Sequence, residues 1–375
     1  MRPRAARAGH RNVAVDALRA AALIGIMMNH IFGAEMASLV WWDTHAIGFA
    51  LLIGAGAAFA VPASGGSRAK PVARAWLRAS VLVAAGFFLE SVPNGGVAVI
   101  LVRLAVITAL VAVIALLRTW ALPWVAAVLL MGTPQLAWQL QTDHPERFSK
   151  TVGWASAIDP GAWMRMLWAP YHPALLWLGV AVIGLWVVRR FDLSRVRDLG
   201  VIAVIGAVLS AGAYLFSSFA WGHWGAPQGS DLKTLAIGDY ATLTQDWRWL
   251  LGVGAYLPST PSLVFSAGIV LIAMSLVSLL CLARPVALAL KPMAIIGGMT
   301  LSAYFFHVLL EGRIALWTAA GQLPNGAEVP TGWANFSAQV AVLFVFLWLW
   351  HLLPGRLGKG PLEWLSRLVA NSIVR

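Results

Sequence analysis

Arg19 and His30 stand on an otherwise apolar stretch, residues 15–34, which reads V-D-A-L-R-A-A-A-L-I-G-I-M-M-N-H-I-F-G-A. At about 100° per residue, the steps between them overshoot three full turns by roughly 20°, so on a helix the two side chains share a face. They lie roughly 16 Å apart along the axis, about half the thickness of a bilayer's hydrocarbon core. An imidazole at that depth is a candidate general base or nucleophile, because polar groups inside a bilayer are costly and mark sites by default. A second stretch, P-M-A-I-I-G-G-M-T-L-S-A-Y-F-F-H-V-L-L-E-G-R-I-A-L, carries Thr300, Tyr304, His307 and Glu311 at helical spacing on one face. One turn separates Glu311 from His307, so the carboxylate is placed to orient the ring. His30, His307 and Glu311 are the candidate catalytic residues. Asp16, one turn before Arg19, is placed to pair with it.

Other polar residues extend the pattern. Glu90 closes the third apolar run and Arg103 lies about two turns into the fourth. An arginine at that depth needs a carboxylate such as Glu90 or Glu311. Glu35 and His45 flank the first outer turn. With Tyr304, these residues (Glu35, His45, Glu90, Arg103) outline a polar vestibule for an acceptor. On the inner side, Arg68, Lys70, Arg74 and Arg78 cluster ahead of and into the third run. Such a cluster suits anionic lipid. It also suits a phosphorylated donor, and Arg19, Arg74 and Arg78 are the candidate donor-binding residues.

The elements that must position these groups are membrane helices. The chain has 375 residues, of which 60% are hydrophobic and 11% charged, with 20 tryptophans. Apolar runs of helical length recur and no alternating strand pattern is present, which disfavours a β-barrel. We read an all-α polytopic protein, one domain over residues 1–375, with about ten spans near 15–34, 45–63, 73–91, 96–117, 120–140, 173–190, 199–219, 262–283, 293–316 and 335–353. The basic amino terminus resembles a signal peptide, but Asn29 and His30 interrupt the run, so it is read as the first span. The lone Cys281 permits no intrachain disulfide, and no zinc-type cluster, P-loop, H-E-x-x-H or G-x-S-x-G element occurs.

The formal charge of +12 reflects topology rather than nucleic-acid binding. Arginine and lysine concentrate in alternate connections, and most loop acids fall in the others. Both termini are then cytoplasmic in a multi-pass cell-membrane protein. The two long connections, 141–172 and 220–261, are extracytoplasmic. They are rich in tryptophan, including Trp154, Trp163, Trp168, Trp221, Trp224, Trp247 and Trp249, which suits an interfacial aromatic belt or a stacking surface for a sugar.

The opening R-N-V-A-V-D-A-L-R-A-A-A-L-I-G-I-M-M-N-H, followed by H-A-I-G-F-A-L-L-I-G-A-G-A-A-F-A, resembles bacterial relatives of heparan-α-glucosaminide N-acetyltransferase. The segments P-M-A-I-I-G-G-M-T-L-S-A-Y and G-K-G-P-L-E-W-L-S-R resemble the closing region of the YeiB-like branch of that group. The Arg19–ten residues–His30 pattern also resembles the first-helix motif of acyltransferase family three. The resemblance covers about the first sixty and the last eighty-five residues. It departs at Ala20, where the family pattern has glycine, and at His45. It implies transfer of an acyl group, usually acetyl, from cytoplasmic acyl-CoA to an extracytoplasmic glycan or lipid-linked acceptor. Acetyl-CoA or another acyl-CoA would be the donor substrate, with no metal. Arg19 and His30 match motif positions, whereas His307 and Glu311 rest on spacing alone. His30 would serve as general base or carry the acyl group. The rival is a transporter or flippase with a polar midplane site. A lipid-phosphate glycosyltransferase, served by Glu35 and Asp43, is a further alternative. A homo-oligomer is compatible with either.

Overall fold

The computed structural model describes residues 12–33, 44–63, 68–143, 153–168, 173–227, 246–254, 257–355 and 357–374. Among them there are helices and turns and no strand. The helices are α1 (Val13–Phe32), α2 (Thr44–Ala60), α3 (Ala69–Glu90), α4 (Leu101–Ile114), α5 (Leu122–Asp143), α6 (Pro160–Trp168) and α7 (Ala174–Arg190). They continue with α8 (Val196–Trp224), α9 (Thr260–Leu280), α10 (Arg284–Ala289), α11 (Lys291–Gly297), α12 (Thr300–Ala320), α13 (Gly332–His351) and α14 (Pro361–Ile373). Asn12 starts α1 as its N-cap, with its side-chain oxygen accepting from the Ala14 and Val15 amides. Six helical segments are long and apolar enough to cross a membrane: α1, α3, Thr119–Asp143, α8, α9 and α13. The α11–α12 pair makes a seventh if it is one broken span. The chain is thus an α-helical protein of membrane type.

Two expected spans differ from straight helices. The fourth, read over 96–117, becomes helical only at Leu101. Ahead of it, Gly95 and Gly96 adopt φ of 69° and 79°, a left-handed pair that breaks the helix. Val97, Val99 and Ile100 beyond it are nonetheless buried. Non-helical backbone at such depth needs partners from the protein. Tyr304 provides them: its hydroxyl accepts from the Ile100 amide at 3.2 Å and donates to the Ala98 carbonyl at 3.3 Å. The ninth span, read over 293–316, is broken between α11 and α12 by a 76° bend. Gly297-Gly298 stands at the break. There Gly297 lies so close to α1 that a Cβ would overlap the Asp16 carbonyl.

A close helix crossing joins α2 to α7. Gly54 faces the Ala181 carbonyl and Gly184 faces the Leu51 carbonyl, and at either glycine a Cβ would overlap that oxygen. Small residues let the backbones touch, which is how helices gain packing energy where lipid offers no hydrophobic drive. Gly54→Ala is expected to destabilise the protein by about 1–3 kcal/mol, because neither backbone yields cheaply. Thermal unfolding in detergent should show a lowered midpoint. An unchanged midpoint would mean that the crossing relaxes.

One end of the bundle is tied by basic side chains and by the carboxy-terminal helix. Arg189 donates to the Val61 and Ala115 carbonyls at 2.9 and 2.8 Å, and Arg68 donates to Leu116 O at 3.0 Å. These carbonyls end α2 and α4, where cations complement the helix dipole. At the same end, α14 packs on α3 and α12. Gly360, at φ 93°, turns the chain into α14, and a Cβ there would overlap the Glu363 carboxylate. Glu363 Oε1 accepts from the Leu301 and Ser302 amides at 2.8 and 3.2 Å, and Ser302 Oγ donates to Oε2. A carboxylate from the tail therefore caps α12 from outside its own segment.

Burial pushes the Glu363 pKa up, against the lowering effect of its hydrogen bonds to Ser302 and Leu301. The folded state therefore favours the protonated acid. Its stabilising contribution is fully present below the ordinary glutamate value, about 4.3, and is lost as pH rises through the raised folded value. Glu363→Gln should flatten that fall in the unfolding midpoint. Glu363→Ala should cost about 1–3 kcal/mol, because it strands two buried amides. A Gln variant that retains the full pH dependence would locate it elsewhere.

Candidate functional site

His30 sits in the last turn of α1 and His307 about one third along α12. Their Nδ1 and Nε2 atoms are 2.9 Å apart. The ring planes differ by 2° and the centroids lie 5.2 Å apart. That separation exceeds the N···N distance by about two ring radii, so the rings meet edge to edge through a hydrogen bond rather than stacking. His307 is 1% exposed. Its Nδ1 lies 2.9 Å from Gln339 Oε1, on α13. Gln339 Nε2 donates to Glu311 Oε1 at 2.8 Å and to Asn335 Oδ1 at 3.0 Å. A chain of polar groups from three helices thus runs from His30 to Glu311 through the buried interior.

Helical spacing offers His30 and His307 as separate candidates, and the structure brings them into direct contact. A straight ninth span over 293–316 would put His307 roughly 20 Å from its start. In fact α11 ends at Gly297 beside Asp16 and Ala20, and α12 starts afresh at Thr300 across the 76° bend, so His307 is only about 10 Å from its own helix start. Glu311 does not orient His307 directly, since Gln339 stands between them. Gln339 and Asn335 were not among the candidates, because amides do not titrate. Their signal was a pair of amides one turn apart in an apolar span, which at bilayer depth must find partners.

The outlined vestibule divides. Tyr304 is 3% exposed and its hydroxyl is committed to backbone, so it braces the 98–100 segment rather than lining an opening. Its ring edge still faces His30, with centroids 6.4 Å apart. Arg103 donates to Val99 O at 3.0 Å, with its charge near the Glu90 carboxyl. His45 lies in the α1–α2 seam over Gly25, where a Cβ would overlap its ring. Gly25 is roughly 7.5 Å inward of His30 along α1. Glu35 and Asp43 lie outside the described residues.

The three donor candidates fall on two seams. Arg19 pairs with Asp16 at 2.9 Å and donates to Leu52 O at 3.2 Å, between α1 and α2. Arg74 and Arg78 are on α3, which packs on α14, and Arg74 donates to Val374 O at 3.3 Å. Like charges one turn apart on α3 repel, and an anion would relieve that repulsion. Of the tryptophans named for the long connections, Trp249 is buried, whereas Trp154, Trp224 and Trp247 are exposed. Trp221 donates to Arg248 O at 3.0 Å and covers Gly252, with Trp249 edge-on beside it. Trp154 meets Phe87 edge-on and Trp163 lies tilted against it. An Asp246–Arg248 pair, closed at 2.6 Å, holds the Asp246 carboxyl below its usual range, chiefly through the side-chain hydrogen bond. Among the described residues no cluster suits a metal ion.

No protein-family model matches the chain, and no curated protein matches it.

Proposed function

We propose that the protein is a ten-span acyltransferase with both termini cytoplasmic. It would move an acyl group, acetyl in the simplest case, from cytoplasmic acyl-CoA to a hydroxyl or amine of an extracytoplasmic glycan or lipid-linked acceptor. The supporting observation is the His30–His307 pair, an imidazole backed by a second imidazole in a buried polar chain. Such backing is what a general base needs. His30 takes the acceptor's proton as its oxygen or nitrogen attacks the thioester carbon. The C–S bond breaks, and the CoA sulfur leaves with that proton. In a covalent version the imidazole itself takes the acyl group first. Arg19, Arg74 and Arg78 would meet CoA's phosphates on the inner side, and Glu90 with Arg103 would lie toward the acceptor.

The spacing of the inner basic residues supports the topology. To reach ten spans the proposal also needs three shorter helices, α2 and α7 with 17 residues each and α4 with 14. Buried Val97, Val99 and Ile100 extend the α4 segment to the length of the other two. The broken α11–α12 span favours one rival, a transporter or flippase, in which bent helices often build the substrate site. Purified protein with acetyl-CoA decides between them. Release of free CoA thiol supports acyl transfer. Absence of CoA binding, with solute-driven proton flux in vesicles, would favour transport.

A further inference from the structure

We infer that Glu311 and Asn335 act through Gln339 to fix the tautomers of both histidines, so that Nε2 is the basic nitrogen of His30. The assignment of Nε2 as the reacting atom rests on the acyltransferase reading; the tautomer itself does not.

The argument starts at the far end of the chain. An ionised carboxylate only accepts hydrogen bonds. Gln339 Nε2 lies 2.8 Å from Glu311 Oε1 and 3.0 Å from Asn335 Oδ1, so both amide hydrogens are used there. The amide oxygen must then face His307 Nδ1, at 2.9 Å. An oxygen acceptor requires an N–H at that nitrogen. A neutral imidazole carries one N–H, so His307 Nε2 holds a lone pair. It accepts across the 2.9 Å contact, and the donor there is His30 Nδ1. The remaining nitrogen of His30, Nε2, then carries that ring's lone pair.

Reversing the chain requires a different Glu311. A protonated Glu311 could donate to a flipped Gln339 amide. The amide nitrogen would then face His307 Nδ1, His307 would donate from Nε2, and His30 would carry its proton on Nε2, with no basic nitrogen to offer an acceptor. The charge on Glu311 therefore sets the direction of the whole chain. Glu311, Asn335, Gln339 and His307 are positioning residues, and His30 alone is placed to touch substrate. When His30 Nε2 gains a proton, the Nδ1 proton can pass to His307 Nε2. His307 then donates from both nitrogens, and the positive charge lies closer to Glu311.

Histidine 15N spectra of the full-length protein in lipid nanodiscs, at about pH 8 and so above the ordinary histidine value, report the tautomers directly. Wild type should show His30 protonated on Nδ1. Glu311→Gln, whose amide can donate or accept, should give the Nε2-protonated form or a mixture. Glu311→Gln combined with Gln339→Glu puts a carboxylate on His307 Nδ1 and should restore the wild-type form. In acetyl-CoA turnover, kcat should fall about 10²- to 10⁴-fold in Glu311→Gln with KM for acetyl-CoA unchanged, and recover in the double variant. Wild-type His30 protonated on Nε2, or a Glu311→Gln spectrum identical to wild type, overturns the inference even if acyl transfer is real. The expected spectra in a protein that never turns over acyl-CoA sustain the tautomer assignment and overturn the acyltransferase reading instead.

Discussion

His30→Ala is expected to lower acyl transfer by about 10²- to 10⁴-fold, the range for loss of a positioned general base, and to abolish it if the acyl group rides on His30. The expectation follows from position. His30 ends α1 and is only half-buried, whereas its partner His307 is fully enclosed. The exposed member of the pair is the one an acceptor can reach. Alanine also deprives His307 of a hydrogen-bond partner, a cost of about 1–3 kcal/mol for a buried group. His30→Gln separates the two effects, because its amide can still donate to His307 Nε2 but cannot take a proton at neutral pH. Labelled acetyl-CoA and membranes from each variant supply the assay. Both variants should insert and both should be inactive. Activity retained in His30→Gln would assign the pair to structure and remove His30 from catalysis.

What the sequence makes legible here is periodicity. The shared face of Arg19 and His30, and of His307 and Glu311, follows from helical spacing alone, and both pairs occur on helices as expected. That the two imidazoles meet is not in the spacing. They meet because α11 ends against α1 at Asp16 and Ala20 and α12 starts from there across a 76° bend. Three features could not be read. Gln339 and Asn335 carry no titratable group and so no acid–base signal in the sequence, yet a buried amide can fix a proton as firmly as a carboxylate. Tyr304 shares a helix face with His307, but its hydroxyl is drawn to the 98–100 backbone, a demand that exists only once Gly95 and Gly96 have ended the helix. Glu363 stands in the first turn of its own helix. It caps α12 instead, a contact across sixty residues that no local pattern encodes.

Arg19→Ala is expected to weaken CoA binding roughly ten- to a hundredfold, and to lower stability as well. A hydrogen bond to a charged group contributes about 1.5–3 kcal/mol, and tenfold in affinity corresponds to about 1.4 kcal/mol. The guanidinium is held in place before any ligand arrives. Nη1 is on Asp16, which is 5% exposed, and Nη2 is on the Leu52 carbonyl beside Gly56, where a Cβ would stand only 2.9 Å from the nitrogen. Preorganisation of this kind lowers the cost of binding an anion, since no long side chain has to be ordered. It also means that a stability loss alone proves nothing about CoA. Asp16→Ala supplies the control: it releases the same guanidinium from its carboxylate while leaving the cation in place. If Arg19 meets the donor, Arg19→Ala loses both affinity and stability, whereas Asp16→Ala loses stability and keeps most of the affinity. Calorimetry with CoA beside thermal unfolding reads both quantities on each variant. Equal losses of stability with unchanged CoA affinity in both would make Arg19 a tie between α1 and α2, and would shift the donor's phosphates to Arg74 and Arg78 on the opposite seam.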